Sequence, residues 1–416
     1  NAGTYNGDAW SFSGGTNYND QNGTVNDYIG QANATVTAGS SSKTYGVAMA
    51  FAGTEFTTSG FLGGDTVTNV TLMSAGAAAT ATVTGPGPDY AIVPSAAVGS
   101  GLGNYVISYV NGNLHVNLRQ LDITANNATK TYGVTLTFAG TEFTTGVGQL
   151  VNGNTVTGVT LTSTGAAATA TFTAPGPNYS VVPSTAVGTG LGNYNIGYFN
   201  GTLHINQAAL TITATNRSKV YGVLYTPNTT TPGTDFTITG TLYNGDTVTS
   251  ITLTCAGYAA GATMTPPGPT YPIAPSNAVG TGLGNYTIGY VNGVFTITAW
   301  NITGFYQPVD MNGVVNTIKG GSTVPLKFNI YAGNVERTSV SDVQGGTCQL
   351  FETNCSGGPE DPMGDLPNTG ATALRYDTTG HQFIQNWQTP KGANRCYIVR
   401  MTAADGSHID AYFKTK

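Results

Sequence analysis

The chain has 416 residues, a length that suggests about three domains. Charged residues make up only 8% of it and the net charge is −6, with 14 Lys and Arg that form no run, so a nucleic-acid footprint is absent. A 39% hydrophobic share, which counts all 23 Tyr, excludes a disordered composition, and no run of ~18 apolar residues is present to span a membrane.

In chain order, residues 1–37 are too short to bury a core. They contain Asn1-Ala2-Gly3-Thr4-Tyr5 and Asn17-Tyr18-Asn19, then Thr24, and end on an Ala34-Thr35-Val36-Thr37 strand. No leader peptide stands at Asn1, which is neutral because mature secreted chains have lost theirs. From residue 38 the chain repeats itself with a period of about 89 residues. Lys43-Thr44-Tyr45-Gly46-Val47 returns as Lys130-Thr131-Tyr132-Gly133-Val134 and as Lys219-Val220-Tyr221-Gly222-Val223. Gly101-Leu102-Gly103-Asn104-Tyr105 returns at 190–194 and 282–286. Between these landmarks run a Gly-Thr-acid-Phe segment, a Gly-rich turn, a Thr/Val segment, an Ala-rich segment and a Pro-Gly-Pro triplet.

Each copy reads as strands. Val70 and Leu72 flank Thr71, as Val159/Leu161 and Ile251/Leu253 do in the other copies, and the segments opening at Tyr105, Tyr194 and Tyr286 alternate too. Val67, Val156 and Val248 fall on the opposite parity from the apolar pair that comes next, which predicts a bulge or strand bend. Asn111-Gly112, Asn200-Gly201 and Asn292-Gly293 predict tight hairpins with positive φ at both central residues. No segment holds a 3.6-residue period, so almost no helix is expected. The copies span 38–120, 121–209 and 210–299. Their joints, at 117–120 and 206–209, are not Gly/Ser linkers, and near-continuous strands across them predict a stiff rod. Residues 300–416 carry more than half of the charged residues and form a separate β domain, with its clearest strands at 324–330 and 396–401. The fold class is all-β: tandem Ig-like sandwich-type repeats forming a rod, plus a C-terminal β domain.

Candidate chemistry is sparse. Of four His, His115 and His204 share one repeat position, flanked by inward-facing Leu114/Val116 and Leu203/Ile205, so both point outward; His381 and His408 lack a partner motif. Glu360, Asp361 and Asp365 lie in a Pro/Gly loop beside Cys355, where their hard oxygens suit Ca²⁺ or form a plain solvated acidic loop. Cys396 opens a strand within reach of Cys348 or Cys355, and a bridge there would close a loop of about 40–50 residues; Cys348–Cys355 is the local alternative. Cys255 is either a small buried hydrophobe or a bridge to another chain. Each repeat has a recurring Lys (Lys43, Lys130, Lys219), acid (Glu55, Glu142, Asp235) and Asn (Asn104, Asn193, Asn285). These are the ingredients of a Lys–Asn isopeptide cross-link beside a carboxylate, or of a plain cross-strand ion pair. Asn-x-Ser/Thr triplets offer sugar acceptors at Asn22, Asn33, Asn69, Asn127, Asn200, Asn216, Asn228, Asn285, Asn301 and Asn354. Trp387, Tyr376 and Tyr397 are positioned either to stack sugars or to fill a core.

The Lys-x-Tyr-Gly opening, the Gly64-Asp65-Thr66 and Gly245-Asp246-Thr247 turns and the Gly-Asn-Tyr closing strand make residues 38–299 resemble the MBG-type (YDG-like) repeats of bacterial secreted and surface proteins. The second copy departs, with Asn154 in place of the Asp. Gly320-Gly321-Ser322-Thr323-Val324-Pro325-Leu326-Lys327-Phe328, Leu374-Arg375-Tyr376-Asp377 and Gln382-Phe383-Ile384-Gln385-Asn386-Trp387 resemble the PxKF-type domain, which implies an extracellular bacterial protein whose chain ends here. Residues 1–37 resemble the last strands of a bacterial Ig-like repeat whose early strands are missing. Neither family supplies a catalytic set. The expectation is a non-enzymatic structural subunit of an extracellular bacterial filament, sheath or stalk. It would be a head-to-tail homopolymer assembled through its terminal domains by strand complementation. The alternative is a cell-surface adhesin, with the repeats as spacer and the C-terminal domain as anchor or glycan binder.

Overall fold

A computed structural model describes residues 1–367 and 373–416, and the described residues form strands and short 3-10 turns. The fold is all-β. The chain divides into two compact units, Asn1–Asn206 and Gln207–Lys416.

The first unit opens with a hairpin, β1 (Gly3–Phe12) and β2 (Gln21–Ile29), whose strands pair only with each other. The first repeat comes next as β3 (Ala32–Ala38), β4 (Ser41–Thr44), β5 (Phe56–Ser59), β6 (Val67–Met73), β7 (Asp89–Gly99), β8 (Tyr105–Val110) and β9 (Gly112–Asn117). This corrects the expected boundary at 37/38. β3 lies between β5 and β8, so it opens the first repeat and does not close a preceding domain. The separate N-terminal element is therefore the hairpin alone.

Two sheets make the sandwich: three strands in the order β5-β3-β8 and four in the order β4-β9-β7-β6. β3 runs parallel to β8, and β4 parallel to β9. Strand alternation sends Ala34, Val36 and Ala38 inward from one sheet and Val70, Leu72, Ile92, Leu114 and Val116 from the other, all buried. The parity break at Val67 is a double irregularity in the β6–β7 ladder, with shifts between Val67 and Asn69 and between Asn69 and Thr71. Ala96, opposite the second shift, takes φ 47°, as Thr185 and Asn277 (both φ 48°) do at the same place in the other copies.

The Asn-Gly pairs do not make hairpins. β8 belongs to the three-stranded sheet and β9 to the four-stranded one, so Asn111-Gly112 is a corner between sheets. Neither residue has a positive φ. Glycine is required there by proximity: a Cβ on Gly112 would sit 2.4 Å from Gly39 O and 2.6 Å from Ala38 O. Gly201 meets Ala125 O and Gly293 meets Ala214 O in the same way.

Leu118 alone separates β9 from β10 (Arg119–Ala125), the first strand of the second repeat, which repeats both sheet orders. Val36, Leu114 and Val116 of the first repeat and Leu121, Ile123, Val181 and Leu203 of the second belong to one continuous hydrophobic core. Within this unit the two repeats are one packed body.

The second unit holds the third repeat, with the same three- and four-stranded sheets, and the C-terminal domain. In that domain, Thr323–Ala332 and Gln382–Gln388 anchor one five-stranded sheet and Cys396–Thr402 and His408–Thr415 the other. Leu326, Phe328, Trp387, Tyr397, Val399 and Phe413 fill the space between them. Trp300 ties domain to repeat. Its backbone N–H donates to Asp405 Oδ2 at 2.6 Å, its indole N–H donates to Tyr221 O at 3.0 Å, and Arg337 lies over its ring at 5.1 Å.

Candidate functional site

The recurring residues of the repeat serve three different purposes, and the structure does not assemble Lys, acid and Asn into a cross-linking site. Lys43 is buried on β4, and its ammonium donates to Val47 O at 2.9 Å and Ala78 O at 2.5 Å. Lys130 donates to Val134 O and Ala167 O, and Lys219 to Tyr258 O and Ala259 O. Each pins the 3-10 turn of the Ala-rich segment under the edge strand. Burial lowers the pKa of all three.

The acids of the first two copies face their own loops. Glu55 accepts from the backbone N–H groups of Ala52, Gly53 and Thr54 at 2.8–3.0 Å, and Glu142 from Ala139, Gly140 and Thr141 likewise. These bonds, first among them those from Ala52 and Ala139, hold both carboxyls below the usual range. A Lys–Glu ion pair is therefore also absent from these two copies.

The recurring Asn works at the joints. Asn193 Oδ1 accepts the Val83 N–H of the preceding repeat at 2.8 Å, and its amide nitrogen donates to Gly190 O. Asn104 Oδ1 accepts the Ala2 N–H of the hairpin, also at 2.8 Å. One position thus receives the preceding element twice. Asn285 is buried and donates to Gly282 O.

The Asn154 departure has a physical cause at the same joint. In the first and third copies the Asp accepts from the closing-strand Tyr: Tyr105 to Asp65 at 3.1 Å and Tyr286 to Asp246 at 3.0 Å. Asn154 instead donates from its amide to Tyr194 Oη at 3.2 Å and to Tyr45 Oη of the first repeat at 2.9 Å. The Tyr45 and Tyr194 rings meet edge to face at 5.6 Å. Arg119 adds bonds to Gln149 O, Gly148 O and Tyr45 O, and Asn152 donates to Ala79 O.

The third copy rebuilds the acid's surroundings. Asp235 accepts from Arg217 Nε at 2.6 Å, Tyr225 Oη at 2.9 Å and Asn228 N–H at 2.7 Å. Burial pushes this carboxyl up, but those three donors outweigh it and leave the pKa lowered. Around the pair opens a polar cleft of about 830 Å³.

Cys355 and Cys396 form the disulfide, across a separation of 41 residues. Cys348 is a buried free thiol whose pKa burial raises, so neither of the other two pairings forms. Cys255 is half-buried and takes the place of Ser74 and Ser163, whose hydroxyls cap the same turn. His115 lies on the outer face against Asp89 at 2.8 Å, and His204 against Asn178 at 2.7 Å. Glu360 pairs with Arg400 at 3.2 Å, and no group of three or more acidic, His or Cys side chains gathers as a metal site among the described residues. Trp387 and Tyr397 are core residues, 0% and 1% exposed, which removes them as sugar platforms, and Tyr376 is half-buried. Asn285, 4% exposed, is inaccessible as a sugar acceptor, whereas Asn22, Asn33, Asn69, Asn127, Asn200, Asn216, Asn228, Asn301 and Asn354 are exposed. Asn178-Tyr179-Ser180 is a further triplet with an exposed Asn. No helix among the described residues is long and apolar enough to cross a membrane.

Among curated proteins nothing matches this sequence. Similar solved structures include a titin tandem (12% identity, 72% of this chain and 97% of that one, TM-score 0.20). They also include the Escherichia coli adhesin FdeC (12%, 79% and 74%, 0.18) and an S-layer protein (12%, 79% and 44%, 0.17). Likeness at these TM-scores carries no functional argument. The family model of the MBG domain (YGX type) matches residues 34–115, 121–204 and 210–296, well over half of the chain, and its first match begins inside β3. With its buried Lys, its Tyr-Gly turn and its joint Asn repeated in register, the chain belongs to the MBG domain (YGX type) family, in three tandem copies.

Proposed function

We propose that this is a non-enzymatic structural protein of the bacterial exterior, a subunit of a filament, sheath or stalk. The observation that carries the reading is the joint between the first two repeats. A single-residue connection, a continuous core and the Asn193, Asn154 and Arg119 bonds convert two domains into one stiff body. Stiffness along a repeat array is useful to a load-bearing or distance-setting element. The outward-facing His115 and His204, paired with Asp89 and Asn178, are surface residues in this reading and not catalysts.

Assembly would run through the N-terminal hairpin. A two-stranded sheet is marginal alone, and Trp10, Phe12, Tyr18, Val25, Tyr28 and Ile29 are all exposed on this one. Strands from a neighbouring copy would pair with its free edges and cover these side chains. The purified protein should appear as rods or fibres in electron micrographs. Deleting 1–31 should leave soluble monomers. Filaments that persist after the deletion would rule out assembly through the hairpin, and globular particles from the intact chain would count against the structural reading as a whole.

A further inference from the structure

We propose that the polar cleft of the third repeat binds a neutral saccharide. The three copies share one frame, and only the third is rebuilt at this place. Arg217 stands where Ser41 and Ala128 open the equivalent strand. Tyr225 stands where Met49 and Leu136 make the same backbone bond to the Ala-rich segment. Asp235 keeps one backbone N–H of its own loop, from Asn228, and turns its other bonds to these two new side chains, whereas Glu55 and Glu142 accept backbone N–H groups of their own loops. His115 and His204 occupy the outer face in the first two copies, and the counterpart in the third is the smaller Thr296, which lines the cleft.

The chemistry of the lining selects the ligand. Arg217 and Asp235 neutralise each other at 2.6 Å, and the Asp235 side chain is 6% exposed while that of Arg217 is 32% exposed. The remaining polar lining is amide and hydroxyl, from residues such as Asn228, Thr226 and Thr296. A self-neutralised site offers no net attraction to phosphates, carboxylates or cations. Its mixed donors and acceptors match a ligand that presents many hydroxyls. Val294, 45% exposed at the same cleft, offers apolar contact for the C–H face of a sugar ring. The cleft, about 830 Å³, is shallow and open to solvent, which suits a sugar unit lying along a surface rather than an enclosed small molecule.

The test uses the full chain without sugar attached, because the candidate acceptors Asn216 and Asn228 line the same cleft. It would be probed on an array of neutral oligosaccharides (β-glucan, chitin and mannan series) beside uronic-acid and sialylated ones, and hits titrated by calorimetry. A neutral hit is expected. Thr296→His, which installs the residue that folds at this position in the other copies, should weaken it by about tenfold or more. The combined Arg217→Ser, Tyr225→Met and Asp235→Glu variant, which restores the first copy's residues, should abolish it, and His115→Thr should leave it unchanged. No neutral hit, a preference for the acidic sugars, or binding insensitive to both cleft variants overturns the proposal. Filaments without glycan affinity would overturn the cleft alone, and affinity without filaments the structural reading alone.

Discussion

Lys130 is 6% exposed and directs its ammonium at backbone carbonyls, among them Val134 O at 2.8 Å. Lys130→Met would keep the length and apolar stem but orphan these acceptors, and is expected to lower stability by about 1–3 kcal/mol in urea unfolding. The pH dependence gives a second readout. Because burial lowers the folded pKa of Lys43, Lys130 and Lys219 below the unfolded value, the unfolded chain binds more protons in the alkaline window between the two. The pH-linked increment from these groups is present in full above the unfolded pKa and is lost as pH falls through the folded one, while the bonds to the carbonyls persist at neutral pH. The triple Lys→Met variant should lack this alkaline gain, and an unchanged slope would refute the assignment. The sequence exposes the recurrence of Lys, acid and Asn, but their partners are mostly backbone groups brought together by the sandwich. Spacing alone therefore suggests, wrongly, that they meet one another. The Asn154 departure is visible in the same way, while its cause, the Tyr45 hydroxyl of another repeat, is 109 residues away.

At the scale of strands and turns, the two-residue period is read correctly from the sequence because it is a local property: Val70, Leu72, Leu114 and Val116 all face the core. The bulge at Val67 is legible for the same reason, as a break in that period. The Asn-Gly corners are not. The dipeptide reports turn preference, while the strands on either side are parted by the sheet to which each belongs, which is a nonlocal fact. The two readings make opposite predictions. In a tight hairpin Asn111 would need positive φ and resist replacement; at this corner Asn111→Ala should change stability by less than about 0.5 kcal/mol. Gly112→Ala forces a methyl onto the carbonyls of Ala38 and Gly39, and should cost about 1–3 kcal/mol. Thermal melts of the two variants, compared in one buffer, distinguish the readings by their order.

For the molecule as a whole, three copies and a charged C-terminal domain are plain in the sequence. The first boundary is not, because β3 resembles the end of a domain as readily as a start. Spacing leaves three pairings open among Cys348, Cys355 and Cys396, and burial of the free Cys348 in the core leaves Cys355 with Cys396. Reducing that bridge releases a loop of 41 residues and should destabilise its domain by roughly 4 kcal/mol in the chain-entropy account. Calorimetry with and without reductant measures it, and a domain whose melting is indifferent to reductant would contradict the expectation. The joint between the first two repeats makes the stronger demand. If the shared core and the Asn193–Val83 bond make residues 32–206 one cooperative body, damage in one repeat must be felt in the other. Leu203→Ala removes a side chain that is 0% exposed in the second repeat, at a cost of about 2–5 kcal/mol. Hydrogen exchange should then accelerate in β3 and β9 of the first repeat by the same free energy as in the strand Gly201–Asn206. Acceleration confined to the second repeat would mean that the domains unfold independently, and the proposed stiffness of this joint would lose its basis.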